Sequence, residues 1–133
     1  MSLITNRELL KHVSPERVRD EFIKVILSKN PKKGLELARE ARIMSFIIPE
    51  LEETYSIGQN KAHKYDVFEH LLRTLQCAAD KGYVFEIRLA ALFHDIGKPR
   101  SKRWSEEKKE PTFYGHDVIS ARMATTILER LKF

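Results

Sequence analysis

The feature that most limits what this chain can fold into is the spacing of its apolar residues. It is helical almost throughout and is broken only where proline or glycine intervenes. Ser14-Pro15 reads as a helix cap followed by proline in the first turn, and Val18, Phe22, Val25 and Ile26 then repeat at helical spacing until Asn30-Pro31. Leu35, Leu37, Ala38 and Ala41 mark a shorter second helix, and Ile47-Ile48-Pro49 interrupts it, with one turn expected over Glu50 to Glu53. Tyr55 to Tyr65 is a polar connection. Asp66 followed by Glu69 has the spacing of a capping box, and Val67, Leu71, Leu72, Leu75 and Ala78-Ala79 form the stripe of a helix that Lys81-Gly82 closes. A further helix from about Phe85 is apolar on most sides and is expected to be central. Lys98 to Pro111 reads as a charged loop, and a last helix from about His116 carries Val118, Ile119, Ala121, Met123, Ala124, Ile127, Leu128 and Leu131. No stretch alternates as a strand would. The expected fold class is therefore all-α.

The 133 residues suit one compact unit, and 42% hydrophobic residues give enough apolar side chain for a real core. The single cysteine, Cys77, excludes an internal disulfide framework. No amino-terminal leader and no membrane-length apolar run is visible, so a cytoplasmic location without a membrane partner is the expectation. A net charge of +5 fits a phosphate-rich partner such as RNA or a nucleotide, although ordinary proteins also carry such a charge.

Chemistry concentrates where the apolar run Leu89-Ala90-Ala91-Leu92-Phe93 meets His94-Asp95, followed by Ile96, Gly97, Lys98 and Pro99. His70 lies on the preceding helix, and the twenty-three residues between His70 and His94 allow a helix, a turn and an antiparallel return. Two imidazoles and a carboxylate from facing helices make a partial shell for a divalent metal, and Mg, Mn, Ni, Co, Fe and Zn are not distinguished by it. Neighbouring helical residues point about 100° apart. His94 and Asp95 can therefore share an ion only where the helix ends, and Gly97 and Pro99 supply that end. A divalent ion acidifies water, and Lys98, Lys102 and Arg103 stand close enough in sequence to neutralise phosphate oxygens. The competing reading has Asp95 merely orienting His94 and the basic segment balanced by Glu106, Glu107 and Glu110. Asp66 is better explained as a cap than as a ligand, and His12 and His63 have no evident partners. Trp104 reads as a partly buried anchor, with base stacking as its alternative.

His70 and the segment "LAALFHDIGKP" resemble the HD-domain superfamily of metal-dependent phosphohydrolases. "SPERVRDEFIKVILSKNPKKGLELARE", "IIPELEE", "HKYDVFEHLLRTL" and "FYGHDVISARMATTILERLKF" extend the resemblance to the tRNA nucleotidyltransferase and bacterial poly(A) polymerase family, from about Ser14 to Phe133. The resemblance implies a helical RNA-binding-like segment over 1–60 and an HD domain over 61–133. It implies a metal held by His70, His94 and Asp95, with Lys98 steadying a phosphate and His94, Asp95 and Lys98 forming the catalytic group. The nucleotide-adding head of that family carries a Gly-Ser turn and paired aspartates, neither of which occurs here, so nucleotide addition by this chain alone is not expected.

In the family pattern an aspartate well downstream completes the metal shell. Asp117 stands too early for that role and has a capping explanation at a helix start. The last ligand is therefore expected beyond Phe133, and the HD domain is expected to be incomplete at its C-terminal end. His116 is an additional ligand candidate, with packing at the helix entrance as its alternative. Three functions remain open: hydrolysis of 2′-phosphates, 2′,3′-cyclic phosphates or phosphomonoesters of nucleotides or RNA; a catalytically incomplete RNA-binding or structural module for tRNA-like RNA; and an assembly module. In the last of these, Ile127, Leu128 and Leu131 of a helix without a stop signal would form a homodimer face.

Overall fold

The computed structural model describes residues 14–59 and 64–133; His12 and His63 lie outside the described residues. The chain is mostly helical, as its periodicity predicts. Helix α1 (Pro15–Leu27) starts where Ser14 Oγ accepts the Arg17 N–H at 3.3 Å, and it buries Phe22 and Ile26. Helix α2 (Pro31–Glu40) buries Leu35, but Leu37 is half exposed and lies off the stripe assigned to it. Single turns α3 (Met44–Ile47) and α4 (Pro49–Glu52) follow, the first of them unforeseen.

Helix α5 (Val67–Asp80) is the centre of the core, burying Val67, Phe68, Leu71, Leu72, Leu75 and Ala78. Full burial of each leucine contributes about 1.5–3 kcal/mol. Asp66 caps α5 through Oδ1, which accepts the Glu69 N–H at 2.7 Å, while Oδ2 accepts the Ser56 N–H at 2.7 Å. The carboxylate is thus consumed as a cap, in agreement with the sequence.

Helix α6 (Phe85–Phe93) was expected to be central, and only its last turn is. Leu92 and Phe93 are buried, whereas Ile87 is 49% exposed. Its antiparallel packing against α5 is what carries the end of α6 to the level of His70.

The segment read as a charged loop has structure. A turn, α7 (Lys98–Ser101), leads into a hairpin of β1 (Arg103–Ser105) and β2 (Glu110–Thr112), with Trp104 opposite Pro111. Three-residue strands are too short for an alternating apolar pattern, so nothing in the residue spacing announces them. Trp104, expected as a partly buried anchor, is 59% exposed.

Helix α8 (His116–Arg130) also departs from expectation at its end. Lys132 adopts φ 65°, its N–H reaches the Glu129 carbonyl, and the Phe133 N–H reaches the Leu128 carbonyl at 3.0 Å. This is a Schellman termination formed with lysine in the left-handed position that glycine usually takes. Of the residues expected at a dimer face, Ile127 and Leu131 are buried in the chain's own core and Leu128 packs against it, partly buried.

One ion pair fastens α8 to α4. Arg130 donates two hydrogen bonds, 2.7 and 2.8 Å, to the two oxygens of buried Glu50. Burial pushes the Glu50 carboxyl up, but the guanidinium outweighs it and holds the pKa below the usual carboxylate value. A depressed native pKa contributes stability that is complete above the unfolded-state value and is lost as pH falls through the native one. Arg130→Met leaves a buried carboxylate unpaired and is expected to cost about 2 kcal/mol at pH 7. Protonation relieves that cost, so urea unfolding should show the deficit shrinking between pH 7 and pH 4. A deficit equal at both values would refute the pairing as its cause.

Candidate metal centre

Three elements meet at Asp95. His70 projects from the second turn of α5, held there by the cap at Asp66 and by the Leu71-Leu72 face that α5 buries. Helix α6 ends at Phe93, His94 is its C-cap, and the chain then turns through the Ile96 N–H to Phe93 carbonyl and Lys98 N–H to Asp95 carbonyl bonds. At this helix end the His94 and Asp95 side chains meet, with His94 Nε2 3.1 Å from Asp95 Oδ2. His116 opens α8, and its approach is fixed by Gly97, which touches α8: the Gly97 N–H donates to Ser120 Oγ at 2.8 Å.

The distances define a compact cluster. Asp95 Oδ2 lies 3.2 Å from His70 Nε2, 3.1 Å from His94 Nε2 and 3.4 Å from Lys98 Nζ. Asp95 Oδ1 lies 3.2 Å from His116 Nε2, and the Nε2 atoms of His70 and His94 are 3.2 Å apart. Outside the cluster, His94 Nδ1 is 2.6 Å from the Ala91 carbonyl and His116 Nδ1 is 2.9 Å from the Phe113 carbonyl. A ring nitrogen facing a carbonyl must be the protonated one. The Nε2 lone pairs of His94 and His116, in their neutral forms, therefore point at a carboxylate that is itself an acceptor.

Such convergence of lone pairs is stable only with a cation between them, either a proton or a metal. The charges reflect this. Burial pushes Asp95 up, yet the hydrogen bond and charge of His94, with Lys98 and His116, hold it well below the usual carboxylate range. The Asp95 hydrogen bond raises His94 against its burial, while burial and then repulsion from His94 keep His70 low.

The donor set fits a divalent ion. His70, His94 and Asp95 each offer one ligand atom, all within 4.8 Å of one another. Tetrahedral ligands at about 2.0–2.1 Å from an ion sit about 3.3 Å apart, close to the separations here. The carbonyls behind His94 and His116 stand where the outer partners of imidazoles stand at metal sites in general.

Of the phosphate-binding candidates, Lys98 is buried at the cluster, where its ammonium also donates to Gln59 Oε1 at 2.6 Å. Among the described residues, the cluster's ion pairs include neither Lys102 nor Arg103; the Arg103 guanidinium bonds the Lys102 carbonyl at 2.7 Å. Asp117, beside His116, is exposed. The spacing of apolar residues did not reveal Gln59 or Ser120, since each acts across the fold, on Lys98 and on Gly97.

Comparison with known proteins adds the following. Residues 67–133 match the family described as HD domain, and residues 2–55 match the one described as probable RNA and SrmB-binding site of polymerase A. An A-adding tRNA nucleotidyltransferase from Deinococcus radiodurans is 34% identical over 119 residues, which are 88% of this chain and 27% of that protein. A multifunctional CCA protein from Neisseria meningitidis is 33% identical over 119 residues, covering 88% and 28% respectively. Another from Azoarcus sp. is 29% identical over 133 residues, covering 98% and 31%. The chain thus spans less than a third of the length of these curated relatives. Among the described residues no helix is long and apolar enough to cross a membrane.

Proposed function

The chain belongs to the HD-domain family, in the form found with tRNA nucleotidyltransferases and poly(A) polymerases, and on that premise we propose that it is a metal-dependent phosphohydrolase acting on phosphate esters of nucleotides or RNA. The observation that carries the reading is the convergence of His70, His94 and His116 on the two oxygens of one buried carboxylate, Asp95. In this reading His70, His94 and Asp95 hold a divalent ion, with His116 on the second Asp95 oxygen. When bound, the ion supplies Lewis acidity toward phosphate oxygens and toward water.

The protein's own groups do the rest. Asp95 carries the negative charge that draws the cation in and is held ionised by its neighbours. His94 and His116 are kept in register by the Ala91 and Phe113 carbonyls. Lys98, steadied by Gln59, is placed to balance charge on a phosphate as negative charge builds on its oxygens. Lys102 and Arg103 extend positive charge along the chain from there.

The test is hydrolysis of 2′,3′-cyclic nucleotides by the unaltered chain and by His70→Ala, with and without a chelator. Metal-dependent turnover that falls by at least about 100-fold in the variant is expected, since even outer partners of metal ligands are worth about 10–100-fold. The match over residues 2–55 favours a second reading, an RNA-binding module whose HD site is inert. Salt-sensitive RNA binding without turnover in either protein would favour that alternative.

A further inference from the structure

A pocket of about 520 Å³ opens beside the cluster, within the roughly 300–1,000 Å³ common for small-ligand sites. Lys98 and His116 line its inner part, and each also touches Asp95, so the pocket is continuous with the candidate metal centre. Phe113, Tyr114 and Lys108 are among the residues that line the rest, together with the carboxylates Glu110 and Asp117. Gly115, at φ 77°, makes the turn between these aromatics and His116, a backbone conformation that glycine adopts without strain.

Tyr114 is the unusual member. The residue is 74% exposed, yet its hydroxyl is held by a 3.0 Å hydrogen bond from the Lys108 ammonium. A large exposed ring lining this pocket, with the Lys108 ammonium 5.5 Å from its centroid, has the chemistry to stack on a base. Lys98 stands at the other end, 5.4 Å from the Phe113 ring. An ammonium beside Asp95 and an exposed aromatic ring in one pocket suit the two ends of a nucleotide.

We infer that this pocket binds the base of the nucleotide whose phosphate ester lies at Asp95, with Tyr114 as the stacking residue and Lys108 as the group that positions its ring. The inference rests on the phosphohydrolase reading and names its substrate more closely: a nucleotide, free or at the end of an RNA chain, rather than a phosphate ester without a base.

Calorimetric titration of the full chain in magnesium buffer tests it, using adenosine 5′-monophosphate, ribose 5-phosphate and a short single-stranded RNA. Stacking on an aromatic ring predicts that the nucleotide binds on the order of tenfold more tightly than the base-free sugar phosphate. Tyr114→Phe should keep that preference. Tyr114→Ala should abolish it while leaving ribose 5-phosphate binding unchanged. A Tyr114 effect on the mononucleotide identifies a free nucleotide as ligand, and one on the RNA identifies a chain end.

If neither base-containing ligand is weakened by Tyr114→Ala, or if ribose 5-phosphate is weakened equally, the inference is overturned. Manganese titration of the same samples keeps the two claims apart. Retained metal binding with no base preference removes only the stacking role, whereas failure to bind metal removes the hydrolase reading itself.

Discussion

Asp95→Asn is expected to abolish metal-dependent hydrolysis while leaving the helical fold in place. Asparagine matches the shape of aspartate, but it removes the charge on which His70, His94, His116 and Lys98 all converge at 3.1–3.4 Å. Outer partners of metal ligands alone are worth about 10–100-fold in metal affinity, so loss of the central carboxylate should cost more than about 100-fold. Without the anion, the nearby basic groups face one another uncompensated, and stability should fall by about 1–3 kcal/mol. Turnover and urea unfolding measure the two effects separately. Asp20→Asn, at an exposed position on α1, is the matched control and should change neither. Equal turnover in Asp95→Asn and the unaltered chain would rule out Asp95 as the hub.

The second large effect is on stability and comes from a glycine that needs space rather than a special backbone angle. A methyl group at Gly97 would lie 2.6 Å from the Ser120 backbone nitrogen, 2.8 Å from Ser120 Oγ and 2.9 Å from the His116 carbonyl oxygen. Two of these three atoms are backbone of α8, so no side chain can swing aside. Gly97→Ala must push α8 off the turn after Asp95. It also strains the buried bond from the Gly97 N–H to Ser120 Oγ. Overpacking of this kind costs about 1–3 kcal/mol, and the displaced helix carries His116 away from Asp95. Loss of stability in urea together with weakened metal binding is expected. Gly82→Ala, at an open position with φ 70°, is the contrast. It should cost only backbone strain, about 1 kcal/mol, with metal binding unchanged. Full metal affinity in Gly97→Ala would show that the α8 contact does not position the centre.

Much of this was legible in the residues alone. The helices at Pro15, Pro31 and Val67 declare themselves through caps, proline and a regular apolar stripe. His70 could be placed against His94-Asp95 because an antiparallel helix pair of that length has few alternatives. His94 and Asp95 could be seen to share a point once Gly97 and Pro99 were taken as the end of a helix.

The remainder depends on contacts that no local pattern encodes. The bonds of Gln59 to Lys98 and of Glu50 to Arg130 join residues 39 and 80 positions apart. The hairpin around Lys108 has strands too short to alternate, and α8 stops at Lys132 without the usual glycine. The exposed half of α6 misled for a related reason. Leu89 and Ile87 are equally apolar, and only the position of α5 decides which of them is covered.

Hydrolysis at Asp95 requires that the histidines around it hold a cation other than a proton. The direct measurement is equilibrium titration of the purified chain with manganese, cobalt, nickel and zinc, alongside His94→Ala. The account predicts stoichiometric binding of at least one of these ions by the unaltered chain and its loss in the variant. Identical binding by both proteins, or none by either, would contradict it.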